Sequence, residues 1–324
     1  MSADPSVLLL SHQAEPFCTS RVAGALAARG AQVLRCDTDT FPQSLSLSAA
    51  LEPTERPRLL YCGEPLRVDA VWLWRLWPAT FSPSLPREQA QTAVRESLTT
   101  LSGFLDLLGE AFWIDPPDAM AAAENKTRQL RLAQSVGLAI PPTLITADPQ
   151  AAQAFYTAHD GRVIAKLQRS LGYSMQGGTG LPTRLLRPSD LQALSGLSIC
   201  PMVFQRYIEK LYELRIAWVD GQAFVGALDG ARCGVDWRYE STASWQPHTL
   251  PTAVHEKLAA LMARLSLRQG ALDLIVTPEG EYVFLEVNPH GEWGMLERDL
   301  GLPIGAALAD ALLRHSHTGH GGAR

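Results

Sequence analysis

A chain of 324 residues, 46% hydrophobic and 19% charged, can bury a sizeable core in two or three packed units and has the composition of an ordinary soluble globular protein. Its net charge of −5, its pI near 5.9 and the lack of any dense Lys/Arg run exclude the electrostatic footprint of a nucleic-acid binder. There is neither a run of roughly eighteen apolar residues nor a basic, signal-like start, so the expectation is a cytoplasmic protein with no membrane partner. Cys18, Cys36, Cys62, Cys200 and Cys233 are scattered without CxxC spacing and read as reduced and mostly structural.

In chain order, Val7 to Leu10, the helical pattern RVAGALAARG and then AQVLRCD predict a βαβ unit, with Gly30 closing the helix. A Pro-rich segment around Pro53 and Pro57 precedes a strand through AVWLWRLWP, and a helix is expected over about 87–109. Two prolines in WIDPPDAM interrupt the pattern before AAAENKTRQLRLAQSVG resumes as one helix capped by Gly137, which puts a boundary near Pro117. From Pro141 the pattern reads strand, helix (about 148–160), strand VIAKLQ, a Gly-rich loop, a short helix from Pro188 and strand PMVFQRYI. Two antiparallel strands, ELRIAWVDG and QAFVGALDG, follow, then a helix over 252–269, an acidic hairpin and a helix over 302–314. The tail HSHTGHGGAR reads as a disordered, Gly-rich end. The fold class is α/β, turning to α+β towards the C-terminus.

The hairpin ALDLIVTPEGEYVFLEVNPHGEW is the richest in chemistry. Glu286 and Asn288, two apart in one strand, share a face. Folding about Pro278-Glu279-Gly280 brings Asp273 opposite either Leu285 or Glu286. Two carboxylates and an amide oxygen on neighbouring strands make a hard-oxygen set suited to Mg²⁺ bridged to phosphates. Lys166, inside the apolar strand RVIAKLQ, needs an anionic partner to offset its desolvation, and a phosphate would serve. Just beyond it SLGYSMQGGTG, with Gly172, Gly177, Gly178 and Gly180, has the freedom to fold backbone amides over phosphates, although no Walker A or GxGxxG pattern is present. Gln205 to Ile208, including Tyr207, form a candidate hinge whose backbone can read adenine. Glu213 and Arg215 share a face, either as ribose and phosphate ligands or as a surface ion pair. Lys126 by itself reads as a solvated lysine at a helix start.

These segments together resemble the ATP-grasp ligases, and specifically the microviridin-type ribosomal peptide maturases, or graspetide ligases. The similarity runs through AENKTRQLRLAQSVGLAIPPTLIT, GRVIAKLQ, VFQRYIEKLYELRIAWVDG, GVDWRYE and ALDLIV, and is most specific in FLEVNPHGEWGMLERDLGLPI. It implies a pre-ATP-grasp domain over 1–117, an ATP-grasp central subdomain over 118–200 and a C-terminal subdomain over 201–324 that carries the Mg²⁺ and ATP site. It also implies that Lys126 and Lys166 contact ATP phosphates, that Gln205 to Ile208 hold adenine and that Glu213 binds ribose. Asp273, Glu286 and Asn288 would bind Mg²⁺, with Arg215 and Lys166 acting at the transferred phosphoryl group. Two positions depart from the family pattern: Trp74 precedes Arg75 where paired arginines are common, and His290 stands where a small polar residue such as Asn is expected.

The activity so implied is ATP-dependent crosslinking. A side-chain carboxylate of a ribosomal precursor peptide becomes an acyl phosphate and is captured by a Ser/Thr hydroxyl or Lys amine, giving a macrocycle, ADP and phosphate. The peptide would dock through a leader segment near the Gly-rich loop and GVDWRYE, where Arg232, Asp236, Trp237 and Arg238 mix charge with an aromatic anchor. Related enzymes suggest a homodimer. The alternatives are a carboxylate–amine ligase for a small metabolite, which would use the same ATP site, and a nucleotide-binding protein without catalysis, against which the complete acidic set argues.

Overall fold

A computed structural model describes residues 4–15, 17–168 and 182–316. The first unit contains β1 (Ser6–Ser11), α1 (Phe17–Ala27), β2 (Gln32–Asp37), β3 (Leu47–Ala50), β4 (Arg58–Tyr61), β5 (Glu64–Pro65), β6 (Ala70–Leu73), α2 (Arg87–Asp106), β7 (Phe112–Ile114) and α3 (Pro117–Ala123). Its main sheet has the order β2-β1-β6-β7 and is parallel throughout. Val7 to Leu10 and Ala70 to Leu73 are buried on both faces, which is why these strands read as unbroken apolar runs. An antiparallel ribbon, β3-β4-β5, for which no strands were predicted, flanks the Pro-rich segment around Pro53 and Pro57, and the short strand β7 was not foreseen either.

The helix expected through AAAENKTRQLRLAQSVG is two helices, α3 and α4 (Lys126–Ser135), because Asn125 stops one and caps the next by accepting from the Arg128 N–H at 2.9 Å. The central unit follows with β8 (Thr143–Thr146), α5 (Pro149–Ala158), β9 (Val163–Lys166), β10 (Arg184–Leu185), a 3₁₀ segment (Pro188–Ser198) and β11 (Met202–Arg206). Its antiparallel sheet, β10-β9-β11-β8, has a core of its own formed by Ala152, Val163, Ala165, Leu186, Leu194, Leu197 and Phe204. The Gly-rich stretch 170–180 lies outside the described residues, as does the tail beyond Ser316.

The last unit contains β12 (Tyr212–Val219), β13 (Gln222–Asp229), α6 (Trp237–Glu240), β14 (Gln246–Pro247), α7 (Thr252–Arg264), β15 (Gln269–Val276), β16 (Tyr282–Asn288), α8 (Gly294–Leu300) and α9 (Ile304–Ser316). The helix expected over 252–269 ends at Arg264, and Gln269 already belongs to β15. This sheet, β14-β13-β12-β15-β16, shares two apolar cores with the first unit. One joins Leu8, Val71 and Leu105 to Leu214, Leu272 and Phe284, and the other joins Leu9, Val22 and Trp72 to Leu296 and Leu308. No described helix is long and apolar enough to cross a membrane.

Candidate active site

The strand register decides how the hairpin acids meet. β15 and β16 pair Asp273 with Glu286 directly, because a bulge between Asp273 and Leu274 leaves Leu285 unpaired. On its other side β15 pairs with β12, placing Arg215 across from Asp273. The guanidinium Nη1 donates to both Asp273 carboxylate oxygens, at 2.9 and 3.0 Å, while Nε and Nη2 donate to the Glu292 carbonyl at 3.2 and 2.8 Å. Gly291 is what lets this arginine through: a Cβ there would stand 3.0 Å from Nη2 and 2.3 Å from the Ala271 Cβ.

Glu286 gathers the two lysines. Lys126 Nζ donates to its Oε2 at 2.9 Å and Lys166 Nζ at 3.3 Å, while the Asn288 amide donates to Oε1 at 3.0 Å. Burial favours the protonated carboxyl, but Lys126, Lys166, Arg238 and Asn288 outweigh it and hold Glu286 well below the usual carboxylate range. Lys126 arrives because α4 is clamped to β16 by the buried Gln129, whose amide donates to the Ala123 and Val287 carbonyls at 2.6 and 2.8 Å and accepts from the Val287 N–H at 3.0 Å. The lysine expected to be solvated therefore sits beside the acidic set, one helical turn before its anchor.

A cleft of about 670 Å³, including the space at its solvent-open mouth, lies between the central sheet and the last one. Ile164, Lys166, Gln205, Tyr207 and Ile208 line one side, and Glu213, Asp273, Ile275, Leu285 and Glu286 the other. Gln205 is buried and donates to Thr143 Oγ1 at 3.0 Å, and the Tyr207 N–H donates to the Arg162 carbonyl at 2.8 Å. Glu213 is buried against Lys210, a short-range ion pair absent from our sequence reading. Burial raises the Glu213 pKa even though Lys210 opposes it. The proposed peptide contacts separate. Asp236 and Arg238 line the cleft: Arg238 reaches Asp273 Oδ2 at 3.4 Å and Asp236 Oδ1 at 3.2 Å, and Asp236 Oδ2 accepts from the Thr183 N–H at 3.0 Å. Arg232 is instead exposed and donates to the Thr242 carbonyl at 2.9 Å, while Trp237 packs edge-on to Trp245 with ring centroids 5.1 Å apart.

Residues 6–121 match the family model of the MvdD pre-ATP-grasp domain. The structure resembles the crystal structure of macrocyclase MdnB from Microcystis aeruginosa, with 44% identity, a TM-score of 0.82 and coverage of 95% of this chain and 99% of that one. The chain belongs to this family of ATP-grasp macrocyclases. MdnC from the same organism, solved with precursor peptide MdnA bound, is 29% identical with a TM-score of 0.85, covering 95% and 99% of the two chains. A ligase associated with ribosomal peptides from Chryseobacterium gregarium, solved with ADP, a leader and a core peptide, is 27% identical with a TM-score of 0.84, covering 96% and 97%. Comparison with proteins of curated function gives no match.

As an ATP-grasp ligase, the macrocyclase has a donor set that fits a hard divalent cation: two buried or half-buried carboxylates and an amide side chain on adjacent strands. In the structure four cationic side chains, Lys126, Lys166, Arg215 and Arg238, pair with these two acids. The residues that depart from the family pattern also meet. Arg75 Nη2 donates to Glu292 Oε2 at 3.2 Å and to the His290 carbonyl at 3.4 Å, and the His290 ring donates from Nδ1 to the Trp74 carbonyl at 2.7 Å.

Proposed function

We propose that this macrocyclase uses ATP to activate side-chain carboxylates of a ribosomal precursor peptide and closes them into ω-ester or ω-amide rings. The observation that carries the reading is the meeting of Lys126 and Lys166 on Glu286 at the cleft, beside the Arg215–Asp273 pair. Lys126 and Lys166 would take phosphate oxygens, Gln205 to Ile208 the adenine, and Glu213 the ribose hydroxyls. Asp273, Glu286 and Asn288 would hold Mg²⁺, which neutralises phosphate charge as the phosphoryl group moves.

A peptide carboxylate oxygen attacks the γ-phosphorus, the bond to the departing ADP oxygen breaks, and an acyl phosphate results. A Ser/Thr hydroxyl or Lys amine then attacks the acyl carbon, phosphate leaves with the carboxylate oxygen, and the nucleophile's proton passes to solvent. Arg215 and Lys166 act by charge: positioned cations lower the cost of the spreading negative charge more than mobile water does. Ile164, Ile275 and Leu285 supply apolar wall to the cleft. Arg232, Asp236, Trp237 and Arg238 would receive the peptide, Asp236 and Arg238 from the cleft wall and Arg232 and Trp237 from outside it, beside the exposed Tyr239. The domain division at about 117 and 200, a leader-bearing peptide partner, a homodimer and a cytoplasmic location belong to the same reading.

The test is mass spectrometry of candidate precursor peptides incubated with the protein, ATP and Mg²⁺. Loss of one water per ring with matching ADP release supports it. ADP release driven by a free amino acid or small amine, with every peptide unchanged, would transfer the protein to the small-metabolite ligases.

A further inference from the structure

β6 ends at the carboxyl edge of the parallel sheet, beside β1, where the strand order β2-β1-β6-β7 reverses direction. In sheets of this kind such an edge faces the functional site. Here Arg75 leaves that edge: its backbone N–H donates to the Leu10 carbonyl at 3.2 Å, and its guanidinium crosses to the loop after β16. What it grips there is Glu292, whose carbonyl oxygen is the acceptor for both Nε and Nη2 of Arg215.

Glu292 is held on every side. Its Oε2 takes Arg75, and its Oε1 takes the Cys18 thiol at 2.8 Å and the Gly294 N–H at 3.2 Å. Cys18 is fully buried, and burial together with the Glu292 carboxylate keeps its thiol protonated and so a donor. Glu15, which completes a cluster with Cys18 and Glu292, is taken up capping α1 through the Cys18 and Thr19 N–H groups at 2.8 and 3.0 Å. The cluster is therefore a hydrogen-bonded brace. A chain of direct contacts runs from Arg75 to Glu292, from the Glu292 carbonyl to Arg215, and from Arg215 to Asp273.

We propose that Arg75 and Glu292 are positioning residues that fix the plane of the Arg215 guanidinium, so that the first unit of the chain sets the geometry of the phosphoryl-transfer site. The inference rests on the role proposed for Arg215. An arginine with four carbon–carbon and carbon–nitrogen torsions to freeze reaches a defined orientation only if its acceptors are themselves immobile. Asp273 is fixed by the sheet, whereas the Glu292 carbonyl lies on a loop, and Arg75 with Cys18 immobilises that loop.

The experiment compares wild type, Arg75→Met, Glu292→Gln, Glu292→Ala, Arg215→Lys and the double variant Arg75→Met/Arg215→Lys. Two readouts apply: single-turnover phosphoryl transfer with its peptide KM, and the Arg215 Nε–H resonance in the nucleotide-free protein, assigned by its loss in Arg215→Lys. Arg75→Met should lower the chemical rate by about tenfold to a hundredfold with peptide KM near wild type, and its unfolding midpoint should fall by a few degrees because the Glu292 side chain, 15% exposed, loses its cation. It should shift the Arg215 resonance and speed its hydrogen exchange, and it should add little to Arg215→Lys. Glu292→Gln, which keeps an acceptor oxygen, should lose less than Glu292→Ala. An unmoved Arg215 resonance, a fully multiplicative double variant, or an effect confined to peptide KM overturns the proposal. The resonance is read without any reaction, so a wild type that closes no peptide would defeat the proposed function and leave this test standing.

Discussion

Glu286→Gln is the perturbation that the site geometry predicts most fully. The carboxylate lies 2.9 Å from Lys126 Nζ and 3.3 Å from Lys166 Nζ. At an effective dielectric constant of about 20 each attraction is worth about 5 kcal/mol before costs. Desolvation of three ions and repulsion between the lysines cancel most of that, and removing one partner of a buried pair costs about 3–5 kcal/mol because the other charge is stranded. The lower end applies, since Gln keeps an acceptor and the lysine side chains are 11% and 14% exposed. A loss of about 3 kcal/mol at roughly 2 °C per kcal/mol lowers the thermal midpoint of the nucleotide-free protein by about 6 °C. The same change frees both lysines for phosphate. ADP without Mg²⁺ should bind the variant about tenfold tighter than wild type, in which Glu286 competes for the lysines. With Mg²⁺ the order should reverse, and ring formation should be lost. Since the lysines hold the Glu286 pKa down, its contribution is present above the usual carboxylate range and disappears only as pH falls through the lowered value, so the gap between the two proteins closes only in acid. Scanning calorimetry and ADP titration with and without Mg²⁺ read all of this. A variant that melts with wild type, or keeps the wild-type Mg²⁺ requirement for ADP, would refute the reasoning.

Lys166→Ala should weaken ATP binding by about tenfold to a hundredfold, the equivalent of about 1.5–3 kcal/mol for a charged hydrogen bond; unchanged affinity in calorimetry would remove Lys166 from the phosphate site. Gln129→Leu should cost about 3 kcal/mol of unfolding free energy, because it strands the Val287 N–H and two carbonyls, and should weaken ATP binding as Lys126 loses its anchor; denaturant titration beside ATP titration checks both. Asp115 is buried where it accepts from the Arg268 and Gln269 N–H groups, and burial pushes its pKa up from 3.8 to about 7. The folded state therefore holds the extra proton, so the stability Asp115 gives is full below the ordinary carboxylate pKa and is lost as pH rises through about 7. Wild type should lose on the order of 1 kcal/mol per pH unit relative to Asp115→Asn between about pH 5 and about pH 7, and parallel pH profiles would exclude the titration.

The acidic hairpin was legible because alternation along a strand and a Pro-Glu-Gly turn are local properties, and they placed Glu286 and Asn288 on one face with Asp273 across from Leu285 or Glu286. Whether Asp273 meets Leu285 or Glu286 was not legible, since a bulge depends on the partner strand and leaves no mark in the residue order. Lys126 looked solvated from its position at a helix start. What buries it is Gln129, an uncharged polar residue beside Leu130 and Ala133 on the buried face of α4, and that pattern was the available signal. Arg238 reads as a peptide contact because GVDWRYE is mixed in charge and aromatic content, and its pairing with Asp273 is a further feature that the segment does not show. Its partner Asp273 is 35 residues away, a distance that no periodicity reports. Lys210 had no signal beyond standing three residues before Glu213. The strands of β3-β4-β5 and β7 escaped because runs of two to four residues broken by proline carry too few alternations to count.

Glu286 joins elements with different structural allegiances. β16 and α4 are packed into the core shared by the first and last units, through Phe284 and Leu130, whereas Lys166 ends β9 in the central sheet, which has a core of its own. The Lys166–Glu286 bond therefore crosses the cleft and ties the central unit to the rest. On the reading proposed for this site, a phosphate that took both lysines would break this tie and replace it with its own bridge, and nucleotide binding would exchange one set of charge pairs for another. Such an exchange strands no buried lysine at any stage, provided that a cation arrives with the phosphate to take the released carboxylate. On the proposed reading, two lysines on one acid, opposite an arginine-held aspartate, would couple nucleotide entry to Mg²⁺ entry through exchange of charge partners, so the two ligands should bind this cleft as a pair.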